Sequence, residues 1–174
     1  MKKSLLPAIM LIFSAYTFSQ SAATLNSRGF RQAQKGNYEK AIALFSEAIA
    51  VNAYYMEAYY NRGVAHSKLK KYELSIQDYT LAISVMPQFK KAYNNRAADK
   101  AELLDFEGAI ADYSLAIKFD TGYARAYYNR GNVFMQLGDF ENALADYNKA
   151  IALQPDYQEA YVNREVCKEK LRNR

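Results

Sequence analysis

An all-α solenoid of stacked helix hairpins is the fold the sequence predicts, and three observations predict it. From Ala22 to Tyr157 the chain repeats itself every 34 residues, four times, without an inserted or deleted residue. Inside each unit, apolar residues recur at the three-to-four spacing of an amphipathic helix, in two stripes. Breakers such as Gly138, Pro87 and Pro155 fall between or after the stripes. Self-similarity at this period marks an array in which each unit covers its neighbour's apolar face. Such an array is first a surface for holding another molecule.

The units run 22–55, 56–89, 90–123 and 124–157, ahead of residues 158–174. In the second unit Ala58, Tyr59, Arg62, Gly63 and His66 form the first stripe. Lys70-Lys71 interrupts it, Tyr72, Ile76, Tyr79, Ala82 and Ile83 form the second, and Pro87 closes the unit. The fourth unit repeats the plan, with Leu137-Gly138-Asp139 between its helices. Small residues recur where helices must approach closely: Gly29, Gly63, Ala97 and Gly131, then Ala41, Ser75, Ala109 and Ala143, then Ala48, Ala82, Ala116 and Ala150. Phe45, Tyr79, Tyr113 and Tyr147 fill the wedge between hairpins.

Bulk composition narrows the function. The chain has 174 residues with a formal charge of +5, which falls to +3 without Lys2 and Lys3. That is too little to imply nucleic acid or an anionic membrane. Fourteen of the 16 tyrosines sit in recurring columns, so the aromatic content is a packing feature. Cys167 is the only cysteine, which excludes an intramolecular disulfide and a cysteine-based metal site. His66 is the only histidine and falls in a packing column; no phosphate loop or metal-ligand spacing appears, so neither catalysis nor a cofactor is expected. Acids such as Asp139 and Glu141 lie at hairpin turns, where they read as solvated caps.

The N-terminus reads as an export signal. Met1-Lys2-Lys3 is basic, Leu5 to Phe18 is mainly apolar, and small or polar residues follow. The apolar run is shorter than the roughly 20 residues a spanning helix needs, and it contains Pro7, Ser14 and Thr17. Cleavage is expected at Ser19/Gln20 or one to four residues later, giving a periplasmic or secreted protein with no membrane anchor; an uncleaved anchor is the alternative.

The columns resemble the tetratricopeptide repeat (TPR) pattern over residues 22–157, with 158–174 matching the family's terminal solvating helix. The resemblance implies a right-handed α-solenoid of four TPR hairpins plus a C-terminal capping helix. Ala53 and Thr121-Gly122 depart from the family's closing proline and Leu104 from its turn glycine, so those junctions are expected to bend differently.

The resemblance also implies that first helices line the concave face. Asn61, Asn95, Asn129 and Asn163 occupy a family groove column there, with Ser27 in the first unit. An amide offers donors and an acceptor, so such a ladder suits the backbone of an extended peptide. The other reading is that these amides tie adjacent first helices together. Neighbouring groove columns vary, as selecting positions would: Glu57, Lys91, Arg125 and Glu159, and Asn26, Tyr60, Asn94, Tyr128 and Val162. The selecting residues are expected to be Tyr60, Lys91, Asn94, Arg125 and Tyr128.

Arg28, Arg62, Arg96, Arg130 and Arg164 form a further column, and Asp78, Asp112 and Asp146 recur on the second helices with the same period. Arginine suits a semi-buried bidentate pair with carboxylate, so a structural ion-pair ladder is expected rather than a phosphate site. In the family's chaperone-binding versions, lysine, asparagine and arginine grip a terminal carboxylate. The matching positions here hold Asn26, Phe30, Asn61, Lys91 and Asn95 or, one repeat on, Tyr60, Val64, Asn95, Arg125 and Asn129. Neither set restores that grip. The expected function is a non-catalytic scaffold binding an extended peptide or partner helix; a self-associating or accessory subunit of an envelope complex is the alternative.

Overall fold

The computed structural model describes residues 21–173; the export-signal reading concerns residues outside that range. Helices α1 (Ala22–Gln34), α2 (Tyr38–Val51), α3 (Met56–Lys68), α4 (Tyr72–Val85) and α5 (Lys90–Glu102) are followed by α6 (Phe106–Phe119), α7 (Ala124–Gln136), α8 (Phe140–Leu153) and α9 (Gln158–Arg172). No strand occurs among the described residues. The architecture is an all-α helical repeat. None of the described helices is long and apolar enough to cross a membrane.

The odd-numbered helices are the first helices of each hairpin and the even-numbered ones the second. Successive first helices touch one another, α1 on α3 through to α7 on α9, whereas successive second helices do not. The stack therefore curves with first helices inside and second helices outside. The small columns set how closely it closes. A Cβ added to Gly29 would lie 2.6 Å from the Phe45 ring, one on Gly63 2.8 Å from Tyr79, and one on Gly131 2.9 Å from Tyr147. Phe45, Tyr79, Tyr113 and Tyr147 are all buried, as are the alanines at 48, 82, 116 and 150.

The turns depart from expectation in an informative way. Leu104 takes a left-handed φ of 64° and Lys70 one of 57°, matching Gly36 at 79° and Gly138 at 75°. The hairpin bend is thus kept without glycine, against a steric cost of about 1–2 kcal/mol. The inter-repeat junctions also share one geometry whether or not proline is present. Asn52, Met86, Asp120 and Gln154 all leave their helices with φ between −129° and −150°. Where proline is missing, a side chain takes its place: Asn52 Oδ1 accepts from the Tyr54 N–H, and Asp120 Oδ1 from that of Gly122, each at 2.9 Å. These Asx turns fix the bend locally.

Candidate functional site

Two ladders run along the array. In the outer one, Arg62, Arg96 and Arg130 each make a bidentate contact with Asp78, Asp112 and Asp146, at 2.6–3.1 Å. The third nitrogen of each guanidinium reaches back to the previous second helix, donating to Ser46, Thr80 and Ser114 at 2.8–3.0 Å. Each arginine also lies over a tyrosine ring of its own helix, Tyr59, Tyr93 or Tyr127. One guanidinium therefore clamps three helices, and its planarity and five donors are what the position requires. Serine or threonine at 46, 80 and 114 carries the repeat period, so this third partner was readable as a column. Arg164, on α9, differs: it pairs with Glu165 at 2.8 Å.

Asp78 and Asp112 are approached by a second cationic position. His66 Nδ1 lies 3.0 Å from Asp78, and Lys100 Nζ 2.9 Å from Asp112. Burial pulls the His66 pKa below its ordinary value, with Asp78 acting in the opposite direction. In the fourth hairpin the same column holds Phe134, whose ring lies beneath Arg130.

The inner ladder is made of amides on the first helices. Asn61 donates to Asn26 Oδ1 at 2.9 Å, Asn95 to the Tyr60 hydroxyl at 3.2 Å, and Asn129 to Asn94 Oδ1 at 3.2 Å. Asn163 donates to the Tyr128 hydroxyl at 3.2 Å and to Asn132 Oδ1 at 2.9 Å. The column thus ties each first helix to the one before it, through residues 35 positions earlier. Asn94 is only 1% exposed and bonds Asn95 as well, which removes it from the surface a guest would meet. Tyr60 packs edge-on against Phe89, and Tyr128 lies tilted against Tyr157. Lys91 and Arg125 are exposed on the inner side, and neither joins an ion pair among the described residues.

Two open clefts mark this inner face. One of about 160 Å³ between α3 and α5 includes Lys68, Tyr79, Asn95, Asp99 and Arg125. The other, about 270 Å³ between α5 and α7, includes Glu102, Tyr113, Arg125, Asn129 and Gln136. Asp99 is a group that column reasoning did not single out. It is 3% exposed, accepts from Ser67 Oγ at 2.7 Å and from the buried Ser75 hydroxyl, and burial raises its pKa. Cys167 is buried, its thiol 2.9 Å from the Phe140 carbonyl and its pKa raised by burial, which disfavours the reactive thiolate. No group of side chains able to hold a metal occurs among the described residues.

Comparison with known proteins agrees with this geometry. A family profile described as Tetratricopeptide repeat matches residues 57–89 and 124–157, and one described as TPR repeat matches 31–70 and 105–138. The chain belongs to the tetratricopeptide repeat family. No curated protein sequence matches it. Among solved structures, the MamA protein is similar with a TM-score of 0.79 at 21% identity, covering 86% of this chain and 81% of that one. The first TPR of Spaghetti (RPAP3), bound to the HSP90 peptide SRMEEVD, gives 0.67 at 26% identity over 69% and 95%. The Arabidopsis OM64 TPR domain gives 0.64 at 30% identity over 66% and 94%. Membership in this family implies a protein-interaction scaffold.

Proposed function

We propose that the inner face holds an extended segment of a partner protein, without catalysis. The observation that carries this reading is the partly used amide ladder on an uncovered face. Asn61 and Asn129 each spend one N–H on a neighbouring helix, and an amide retains a second N–H and a carbonyl oxygen beyond that. A guest backbone running along the ladder meets those groups. Lys91 and Arg125, together with the edges of Tyr60 and Tyr128, select its side chains; Asn163, with both N–H groups engaged, offers its oxygen. The RPAP3 domain shows a related array occupied by a peptide, though the set that grips an acidic chaperone tail is not restored here. The leader sends the protein to the periplasm or medium and is removed at Ser19/Gln20; the mass of the exported chain tests that cut.

Affinity capture from the native envelope tests the groove, using wild type, Lys91→Glu/Arg125→Glu and Asn61/Asn129→Ala. The two charge reversals lie on exposed side chains and leave the fold intact, so loss of partner with retained helicity supports the reading. Equal recovery by all three proteins would sink it.

A further inference from the structure

The outer face where the first and second hairpins meet departs from the rest of the array. Val51 is 50% exposed, Tyr54 83%, Leu81 42% and Met86 46%, and all lie on or beside α4 and the loop leading from α2 to α3. The repeat supplies an internal control. The Tyr54 column holds Gln88, Gly122 and Asp156 elsewhere, the Leu81 column Glu47, Leu115 and Lys149, and the Met86 column Asn52, Asp120 and Gln154. The Tyr54 and Met86 columns are apolar only here, where the first and second units meet, and the Leu81 column is apolar again at Leu115.

Charge tells the same story. All four second helices expose a glutamate in their first turn, Glu39, Glu73, Glu107 and Glu141; beyond it α2 exposes Lys40 and Glu47, α6 Lys118 and α8 Lys149. From Leu74 to the end of α4 the exposed residues are Leu74, Gln77, Thr80, Leu81 and Ser84; the single charge in that stretch, Asp78, is buried in its ion pair. The shape is equally specific. Beside the projecting Tyr54 lies a groove of about 410 Å³ lined by Ala53, Tyr54, Tyr59, Leu81, Ser84 and Val85. A knob and a hole therefore stand next to each other within one patch.

We infer that two copies of this chain meet here, about a twofold axis crossing α4. An isologous contact sets a patch against itself, and a projection beside a recess in one surface makes that patch self-complementary. Groups beside the axis meet their own copy, where an exposed charge repels itself; the stretch of α4 from Leu74 onward, with no exposed charge, satisfies that condition. Homodimer contacts are correspondingly the more apolar class. Tyr54 of each copy enters the groove of the other. Because α4 is on the outside, both inner faces stay open, and the dimer presents two guest sites whose joint use raises avidity.

Sedimentation equilibrium of the isolated protein, beside Tyr54→Asp/Leu81→Asp and Gln77→Glu, tests this. The expected result is a wild-type dimer, with dissociation constants at least about tenfold higher in both variants and unchanged helical circular dichroism. Gln77 is exposed, so its variant reports on the contact even if the double variant folds poorly. A wild-type monomer throughout the accessible concentration range overturns the inference. So does a dimer that neither variant weakens, or a mass that grows past two copies with concentration.

Discussion

The junction between the second and third hairpins and the one between the third and fourth are built from the same columns with opposite chemistry. At the latter, Ala101, Ala109 and Val133 pack with Tyr113 in an apolar cluster. At the former, the same three columns hold Ser67, Ser75 and Asp99, joined by hydrogen bonds around a buried carboxylate. The first junction is apolar again, with Ala33, Ala41 and Ala65, and the last has Met135, Ala143 and Cys167. One repeat geometry therefore tolerates either filling, provided the polar set arrives complete. A lone acid would leave a buried charge without donors, which is why the substitutions come as a group.

The two kinds of buried acid in this region differ in what holds them. Asp112 lies between Arg96 at 2.7 Å and Lys100 at 2.9 Å, while Asp99 has hydroxyl donors and no cation among its near partners. The largest expected effect is accordingly at Asp112. Asp112→Ala leaves two semi-buried cations facing each other and is expected to destabilise the protein by about 3–5 kcal/mol. Urea denaturation measures it, and an unchanged midpoint would end the ladder's structural role. Next comes a transplant of the polar set. Val133→Asp alone strands a carboxylate among alanines, and adding Ala101→Ser with Ala109→Ser is expected to recover about 1–3 kcal/mol of that loss. If the triple variant is no more stable than the single one, the two junctions are not interchangeable in the way their columns suggest.

A subtler contrast appears with pH. The Ser75 hydroxyl lies against both Asp99 and, at 2.9 Å, the Tyr72 carbonyl, so two acceptors compete for one proton. Burial raises the Asp99 pKa, and nearby Glu102 acts in the same direction against the two serine bonds. The folded state then holds a proton that the unfolded state has released. Asp99's contribution is fully present below its unfolded pKa and is lost as pH rises through the folded value. Asp99→Asn supplies a permanent donor to Ser75 and carries no charge. Its stability is expected to match wild type at acid pH and exceed it at neutral pH; parallel curves across the range would show that Asp99 does not titrate with folding.

Much of this was legible in the sequence, and what was not has a physical reason. The period fixes which residues share a column, so the small, aromatic, arginine and aspartate positions could be read together before any coordinates. The partners of the asparagines could not. Asn61 bonds Asn26 and Asn95 bonds Tyr60 at an offset of 35, not 34, so the bonded atoms sit in a different, variable column. Asp99, Ser67 and Ser75 each look like drift when a column is read alone. Only the packing of α3, α4 and α5 shows that the three departures meet at one point.

The smallest expected effect concerns the turns on either side of that polar junction. Lys70 and Leu104 both hold a left-handed backbone, whereas Gly36 and Gly138 at the outer turns adopt it freely. The two middle hairpins, which contribute the polar set, thus also carry the strained turns. Leu104 is 73% exposed, so its side chain contributes little burial to offset the strain. Leu104→Gly removes the Cβ clash but widens the unfolded ensemble, and these act in opposite directions. The steric gain of about 1–2 kcal/mol is the larger, leaving a net stabilisation of about 1 kcal/mol. Leu104→Ala keeps a Cβ at the same φ and is expected to gain nothing. A thermal melt in which glycine and alanine behave alike would place the cost in the leucine side chain instead of the backbone.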